Sequence, residues 1–361
     1  MTSGLERLQT PALLVDLDVA RHNVRHMLAL VGGDPARWRP HTKSSKIPQV
    51  LALLLAAGVT KFKCATTREA KVLLDLAGAQ PIDLLVAMPL HGANLARLAA
   101  LAADFPQHRL AVLTEDKEHA RSVRTTSDRL GLFVDLNPEM DRTGIPLRDR
   151  TRIRATLGAA GPAVRGLHFY EGQVRAPAGA DRDAECFRLY AEVLALVAEL
   201  KLDPRLELVT SGTPAFPSAL AYPGFTGRHH TVSPGTVVYW DTTSQEFGIP
   251  GFLPAVTVLT RVISRPGADR VTCDAGSKAL DAAAGDPCCE VVGWPRLIAQ
   301  HPSEEHLPLL ATDGRLPAMG TMLQLVPRHV CPTVNLADQA VLLTQGKIAA
   351  IAPVLARGHE V

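Results

Sequence analysis

The sequence predicts an α/β + β architecture, a parallel (β/α)8 barrel followed by an all-β domain. Strand-length apolar runs alternate with helical patterns over the first two thirds of the chain. Those runs number eight, the repeat of a closed parallel barrel. After Gly251 the texture changes to short Val/Leu/Thr-rich runs broken by glycine, proline and aspartate.

Residues 12–16 read as an initial strand and 19–29 as a first helix. The barrel strands are expected at 39–43, 61–65, 84–88, 110–113, 130–135, 164–168, 206–210 and 230–232. Between them, segments 48–57, 69–76, 93–102 and 181–200 carry apolar residues at three- and four-residue spacing, with Thr67 and Thr114 as caps. Beyond the barrel, 252–263, 270–274, 290–292, 322–326 and 340–343 read as strands with no helix between them. Residues 1–245 are therefore assigned to the barrel and 246–361 to the β-domain, with residues 1–17 able to pack against the latter.

Composition narrows the class of function. Hydrophobic residues make up 47% of the 361, enough for a large core, while charges nearly cancel at +2 and aromatics are 4%. No basic run offers a nucleic-acid or membrane footprint. The polar start, Met1 to Arg7, lacks the pattern of a signal or transit peptide, and no apolar stretch is long enough to span a bilayer. Six cysteines without C-x-x-C spacing read as reduced thiols, so a cytoplasmic enzyme is expected. The adjacent Cys288 and Cys289 read as spare thiols on a polar loop, and Glu304, Glu305 and His306 as a solvated turn.

Unusual polar residues cluster where the strands end, the rim at which such barrels assemble their chemistry. Strand one leads to His41-Thr42-Lys43-Ser44-Ser45-Lys46, strand five to Asp141-Arg142-Thr143, and strand six to His168-Phe169-Tyr170. Strands seven and eight are followed by Ser211-Gly212-Thr213-Pro214 and Ser233-Pro234-Gly235-Thr236. Glycine admits an anion close to backbone amides and hydroxyls add donors, so these two loops read as a phosphate pocket. A lysine in the barrel mouth is expected to be partly desolvated, which frees its amine for imine formation. Lys43 with a phosphate pocket fits pyridoxal phosphate or a sugar-phosphate Schiff-base aldolase. In the β-domain, His329 and Cys331 lie two apart; on a strand they would share one face and could bind one divalent metal, zinc before manganese or magnesium.

These motifs, from Thr10-Pro11-Ala12 through Arg39-Pro40-His41-x-Lys43-x-x-Lys46 to His329-x-Cys331-Pro332-x-Val334-Asn335, run collinearly along nearly the whole chain. In them the chain resembles the D-threonine aldolase / D-serine dehydratase family, pyridoxal-phosphate enzymes that share the alanine racemase fold. The resemblance implies that Lys43 carries the cofactor and handles the Cα proton. It implies that Arg142 faces the pyridine nitrogen, and that Tyr170, Ser211, Gly212, Thr213, Gly235 and Thr236 contact the cofactor. His329 and Cys331 would hold a metal at the β-hydroxyl of a small D-amino acid, His168 would be a base for that hydroxyl, and the protein would be a homodimer.

Ser45 stands where dehydratases of the family carry histidine, an aldolase-like feature, whereas His329-x-Cys331 is dehydratase-like. On the expectation that Ser45 borders the reacting carbon, retro-aldol cleavage is the first reading and dehydration of D-serine or D-3-hydroxyaspartate the alternative. A racemase is disfavoured because no tyrosine follows Tyr239 to supply a second base. A non-catalytic pyridoxal phosphate carrier would not need the roughly 110 residues beyond Gly251.

Overall fold

The computed structural model describes residues 4–360, so the extreme ends of the two ranges assigned above, residues 1–3 and 361, lie outside the described residues. In chain order the strands are β1 (Ala12–Asp16), β2 (Lys61–Cys64), β3 (Asp83–Val86), β4 (Arg109–Thr114), β5 (Leu130–Asn137), β6 (Ile145–Pro146), β7 (Val164–Phe169), β8 (Glu207–Thr210) and β9 (His230–Val232). They continue as β10 (Val256–Ser264), β11 (Arg270–Cys273), β12 (Cys289–Val291), β13 (Leu297–Ala299), β14 (Leu307–Ala311), β15 (Met322–Pro327), β16 (Gln339–Thr344) and β17 (Lys347–Pro353). The helices are α1 (Leu17–Leu30), α2 (Pro48–Ala56), α3 (Thr67–Ala77), α4 (Gly92–Asp104), α5 (Lys117–Thr126), α6 (Arg150–Ala160), α7 (Ala180–Glu199), α8 (Phe216–Ala221), α9 (Thr242–Glu246) and α10 (Val330–Leu336).

Strands β2, β3, β4, β5, β7, β8 and β9 lie side by side in one parallel, curled sheet, with β6 paired to β5. The eighth stave expected at 39–43 is not a regular strand, because Pro40 has no N–H to give a ladder. Residues 38–42 instead bridge the two edges of the sheet. Arg39 N donates to Val232 O at 2.9 Å, Lys63 N to Pro40 O at 2.9 Å, and Thr42 N to Lys63 O at 2.7 Å. Lys43 follows these bridges, in a turn.

Side chains inside the ring form layers. At the foot lies Arg39, fully buried, donating to both carboxylate oxygens of Glu207 at 3.1 and 2.7 Å and to Asp83 Oδ1 at 3.0 Å. Above it Leu85, Ala111, Leu113, Phe133 and Val209 form a dry middle layer. The top layer is polar: Lys63, Asp135 and His168, with Asp135 and His168 paired in register on β5 and β7. This is the stacked filling of a barrel of this type, with charge at both ends.

The second sheet is antiparallel apart from one pair. β1 sits between β10, antiparallel to it, and β16, parallel to it, so the first strand of the chain belongs to this sheet and not to the barrel. α1 then carries the chain across to the barrel. Its buried Asn23 donates to Val238 O and Leu253 O and accepts from Leu253 N, which pins the segment that leaves β9. Three expectations need correcting. The caps of α3 and α5 are Thr66 and Asp116, whose oxygens accept the N3 amides more directly than Thr67 or Thr114 could. The β-rich part is not free of helix, since α10 lies within it. Cys288 and Cys289 are not on a polar loop; both are buried, and Cys289 is in β12.

Burial by itself would raise the Glu207 carboxyl, but Arg39 and its hydrogen bonds hold it down to about 2. Its folded value is thus below its unfolded one. The stabilisation it gives is complete above about pH 4.5 and is lost as pH falls from there towards 2. Arg39→Met removes both charge-assisted hydrogen bonds to the buried Glu207 carboxylate and leaves it only Lys61 at 3.4 Å. Denaturant unfolding at neutral pH is expected to show a loss of about 3–5 kcal/mol and a flatter acid limb.

Candidate active site

A cavity of about 800 Å³ opens at the C-terminal rim of the barrel and extends to the second sheet. Its walls include Lys43, Arg142, Tyr170, Gly212, Gly235 and His329. Each rests on a different element, and the local sequence accounts for its position.

Lys43 sits in the turn 42–45, which is held from both sides. Ser45 N donates to Thr42 O at 2.9 Å, and Ser44 Oγ lies 2.8 Å from Cys331 Sγ. Lys46, the second lysine of the motif, does not reach the cavity. It is buried, pairs with Glu69 of α3 at 2.6 Å and donates to Ala356 O at 3.1 Å, clamping the turn to α3 and to the C-terminal tail. Two expectations fail here. Lys43 is exposed in the cavity and not desolvated, because it projects past the rim from a turn. Ser45 points away from the cavity into the protein, with a buried and unpartnered Oγ. It therefore does not border a reacting carbon, and the inference drawn from it falls.

The two loops after β8 and β9 form a cradle. Among the described residues the amides of Gly212, Thr213, Gly235 and Thr236 have no protein acceptor, and the Thr213 and Thr236 side chains line the same space. A Cβ on Gly235 would collide with the His41 backbone carbonyl, so only glycine lets this loop approach the lysine turn so closely. A Cβ on Gly212 would come within 2.6 Å of the Tyr170 ring. Ser211 is turned away from the cavity. Its Oγ donates to Glu171 at 2.6 Å and its amide to the other Glu171 oxygen at 3.2 Å, which holds the residue at φ 59°. Glu171 also accepts from Tyr190 at 2.6 Å. This buried carboxylate, pushed up by burial, was not singled out from the sequence; a glutamate beside an aromatic strand end gives no local sign of it.

The Arg142 guanidinium lies 4.8 Å from the centre of the Tyr170 ring, a cation–π contact at the mouth. His168 is buried. Its Nδ1 is 2.6 Å from Asp135 Oδ1, its Nε2 is 3.3 Å from Lys63 Nζ, and burial followed by Lys63 lowers its basicity. Lys63 was missed although a signal existed: Lys61 and Lys63 are two apart on a barrel strand and so share one face, opposite Phe62 and Cys64.

His329 and Cys331 do come together, but not on a strand. β15 ends at Pro327, and Pro332 favours the first turn of a helix, so His329 caps α10 and Cys331 lies in its first turn. Asp241 fixes that turn by accepting from Val330 N at 2.9 Å, while its other oxygen caps α9. Burial opposes ionisation of both, yet the two side chains prevail over it: Cys331 raises His329, while His329 and Lys43 lower the Cys331 thiol. An imidazole beside a thiol inclined to ionise suits a zinc-like cation. Asp281 Oδ2 lies 3.6 Å from His329 Nδ1 and can orient the ring. Among the described residues no group of three His, Cys, Asp or Glu side chains converges on one metal position. Glu304 and Glu305 are exposed and pair with Lys278.

Comparison with known proteins agrees with this geometry. Residues 15–243 match the model of the alanine racemase N-terminal domain, and residues 255–343 that of a putative serine dehydratase domain. The chain belongs to the alanine racemase N-terminal-domain family, whose enzymes use pyridoxal phosphate. Within it the chain falls in the D-threonine aldolase / D-serine dehydratase group, and it is an enzyme of the lyase class. It is 29% identical to a D-threonine aldolase of Arthrobacter sp. over 99% of this chain and 94% of the relative. It is 25% identical to the D-threo-3-hydroxyaspartate dehydratase of Delftia sp. (strain HT23), over 92% and 93%. The solved D-threonine aldolase of Filomicrobium marinum superposes with a TM-score of 0.82 at 26% identity, covering 98% of this chain and 96% of that one.

Gly235→Ala forces its loop off the His41 carbonyl. Absorbance titration is expected to show pyridoxal phosphate binding weakened roughly tenfold, the equivalent of one lost hydrogen bond of about 1.4 kcal/mol.

Proposed function

We propose that the protein is a pyridoxal-phosphate- and divalent-metal-dependent lyase that cleaves the Cα–Cβ bond of a D-3-hydroxy amino acid, giving glycine and an aldehyde. The observation that supports this reading is the contact between the Lys43 turn and Cys331, with Lys43, His329 and Cys331 lining one cavity. Cleavage is favoured over other outcomes by the likeness to D-threonine aldolases along nearly the whole chain.

The residues fit the two absent groups. Free amides at Gly212, Thr213, Gly235 and Thr236, with two threonine hydroxyls, suit a phosphate dianion. His329 and Cys331 suit zinc, with manganese or magnesium as alternatives. When bound, the cofactor withdraws electrons from Cα, and the metal polarises the β-oxygen and lowers the pKa of its hydroxyl. The protein's own work is positional and protonic. Arg142, held over Tyr170, offers a fixed cation at the mouth for the pyridine nitrogen or for a carboxylate. Lys43 Nζ is the exposed amine from which a proton can reach Cα. His168 has both ring nitrogens engaged, so a role as base for the hydroxyl requires it to break its contact with Lys63.

Dehydration is the second reading, favoured by the match of residues 255–343 to a putative serine dehydratase domain. The family resemblance also supports a homodimer, and six free, buried thiols are in keeping with a cytoplasmic setting.

Cys331→Ala is expected to leave pyridoxal phosphate bound while activity falls roughly a hundredfold or more, since Lewis-acid help of several kcal/mol is lost. Full activity in chelator-treated protein would contradict the metal role. The product assay offers D-threonine and D-serine separately to cofactor-loaded protein with zinc or manganese. Glycine and acetaldehyde from D-threonine are expected; 2-oxobutyrate from D-threonine or pyruvate from D-serine would establish dehydration instead.

A further inference from the structure

Lys63 is a buried basic group of the cavity that neither the phosphate cradle nor the His329–Cys331 pair employs. It lies near the end of β2 and is 4% exposed, yet it lines the cavity, in the floor formed by the top layer of the barrel. Among the described residues no carboxylate comes within ion-pair distance of it, unlike Lys46 and Lys61, which pair with Glu69 at 2.6 Å and Glu207 at 3.4 Å. Its hydrogen-bond partner is His168 Nε2 at 3.3 Å. His168 Nδ1 is anchored by Asp135 Oδ1 at 2.6 Å, and Asp135 Oδ2 accepts from Thr143 Oγ1 at 2.8 Å. Asp135 fixes the imidazole hydrogen on Nδ1, so Nε2 presents a lone pair and Lys63 donates to it.

A buried ammonium without a counter-ion is costly, and an amine can avoid that cost by releasing its proton. The surroundings of Lys63 act in that direction. Burial is the largest influence, and Lys43 on the neighbouring turn and Arg142 on the loop after β5 repel its charge. Asp135 and Glu171 attract it less strongly, and the balance brings it down to about 7. The foot of the same barrel shows the contrast: Arg39 is just as buried but fully matched by Glu207 and Asp83.

We propose that Lys63 is a proton-accepting floor residue of the site, a buried amine that gives up its proton readily and is held as an ammonium when a carboxylate or phenolate oxygen of a ligand settles on it. The counter-charge missing from the protein is then supplied by the ligand. The step balances without any co-reactant. Either the acidic O–H of the ligand breaks as an N–H forms on Nζ, or the ligand arrives ionised and the proton comes from water. Lys63 touches the ligand, whereas His168 and Asp135 are positioning residues that aim the Nζ lone pair into the cavity. This rests on the pyridoxal phosphate reading only where that compound serves as the ligand.

Protein labelled with ¹³C at lysine Cε tests it without turnover. The Lys63 resonance, assigned by its absence from Lys63→Met, is expected to titrate near 7 in the empty protein, apart from the other lysines. Saturation with pyridoxal phosphate, checked by its absorbance, should raise that midpoint by roughly one to three units, the effect of an opposite charge in contact. Asp135→Asn should lower the midpoint in the empty protein, because an attracting charge is removed. Should Lys63→Met not fold, Lys63→Arg provides the same assignment. Titration of Lys63 together with the surface lysines in the empty protein would overturn the proposal, as would a midpoint unmoved by demonstrated cofactor binding. Failure of pyridoxal phosphate to bind would count against the cofactor reading instead; acetate then serves as the anion, and an unmoved midpoint again overturns the proposal.

Discussion

The backbone hydrogen bonds from residues 39–42 to both edges of the curled sheet hold the rest of the site in place. They join Val232 on one side to Lys63 on the other. A ring closed in this way puts the Lys43 turn beside the loop after β9, where Gly235 meets the His41 carbonyl. It also sets Lys63 next to Pro40 and His41, and so beneath the cavity. Pro40 gives up one ladder donor, and the chain leaves strand geometry just where a turn must lift Lys43 over the rim. The cost of that irregular stave is offset below it, where the Arg39 side chain gathers acceptors from β2, β3 and β8.

Charge is distributed along the barrel axis in a way that separates framework from chemistry. At the foot Arg39 and Lys61 both have the Glu207 carboxylate within ion-pair distance. Around Lys63 on the cavity floor the balance is positive: Lys43 and Arg142 add to its charge, Asp135 and Glu171 oppose it, and Glu171 is already engaged by Ser211 and Tyr190. A floor with excess positive charge favours anions, and a phosphorylated cofactor with an amino-acid carboxylate would supply them. Beyond the barrel, Asp241 joins α9 to α10, so His329 and Cys331 are positioned by the last turn of the barrel as well as by the second sheet.

Much of this was legible in the sequence because it depends on local pattern. Strand-length apolar runs and glycine–hydroxyl loops after the last two strands announced the curled parallel sheet and its rim, although the run at 39–43, which reads as an eighth strand, is not a regular one. What escaped depends on where the chain goes afterwards. The burial of Lys46 is decided by α3 and the C-terminal tail, which lie far away in sequence. The helical setting of His329 and Cys331 follows from Pro327 and Pro332 acting on a strand that could otherwise have continued. Lys63 carried a readable sign, a charged pair at strand spacing, but only the assembled ring shows that no carboxylate meets it.

The claim that Lys43 is the cofactor lysine is tested most directly by borohydride reduction of protein loaded with pyridoxal phosphate, followed by mass-spectrometric mapping. The second amine in the same cavity makes the result discriminating. The account requires the pyridoxyl group on Lys43, with Lys63 unmodified. A label on Lys63, or none on either lysine in protein shown to hold the cofactor, would contradict it.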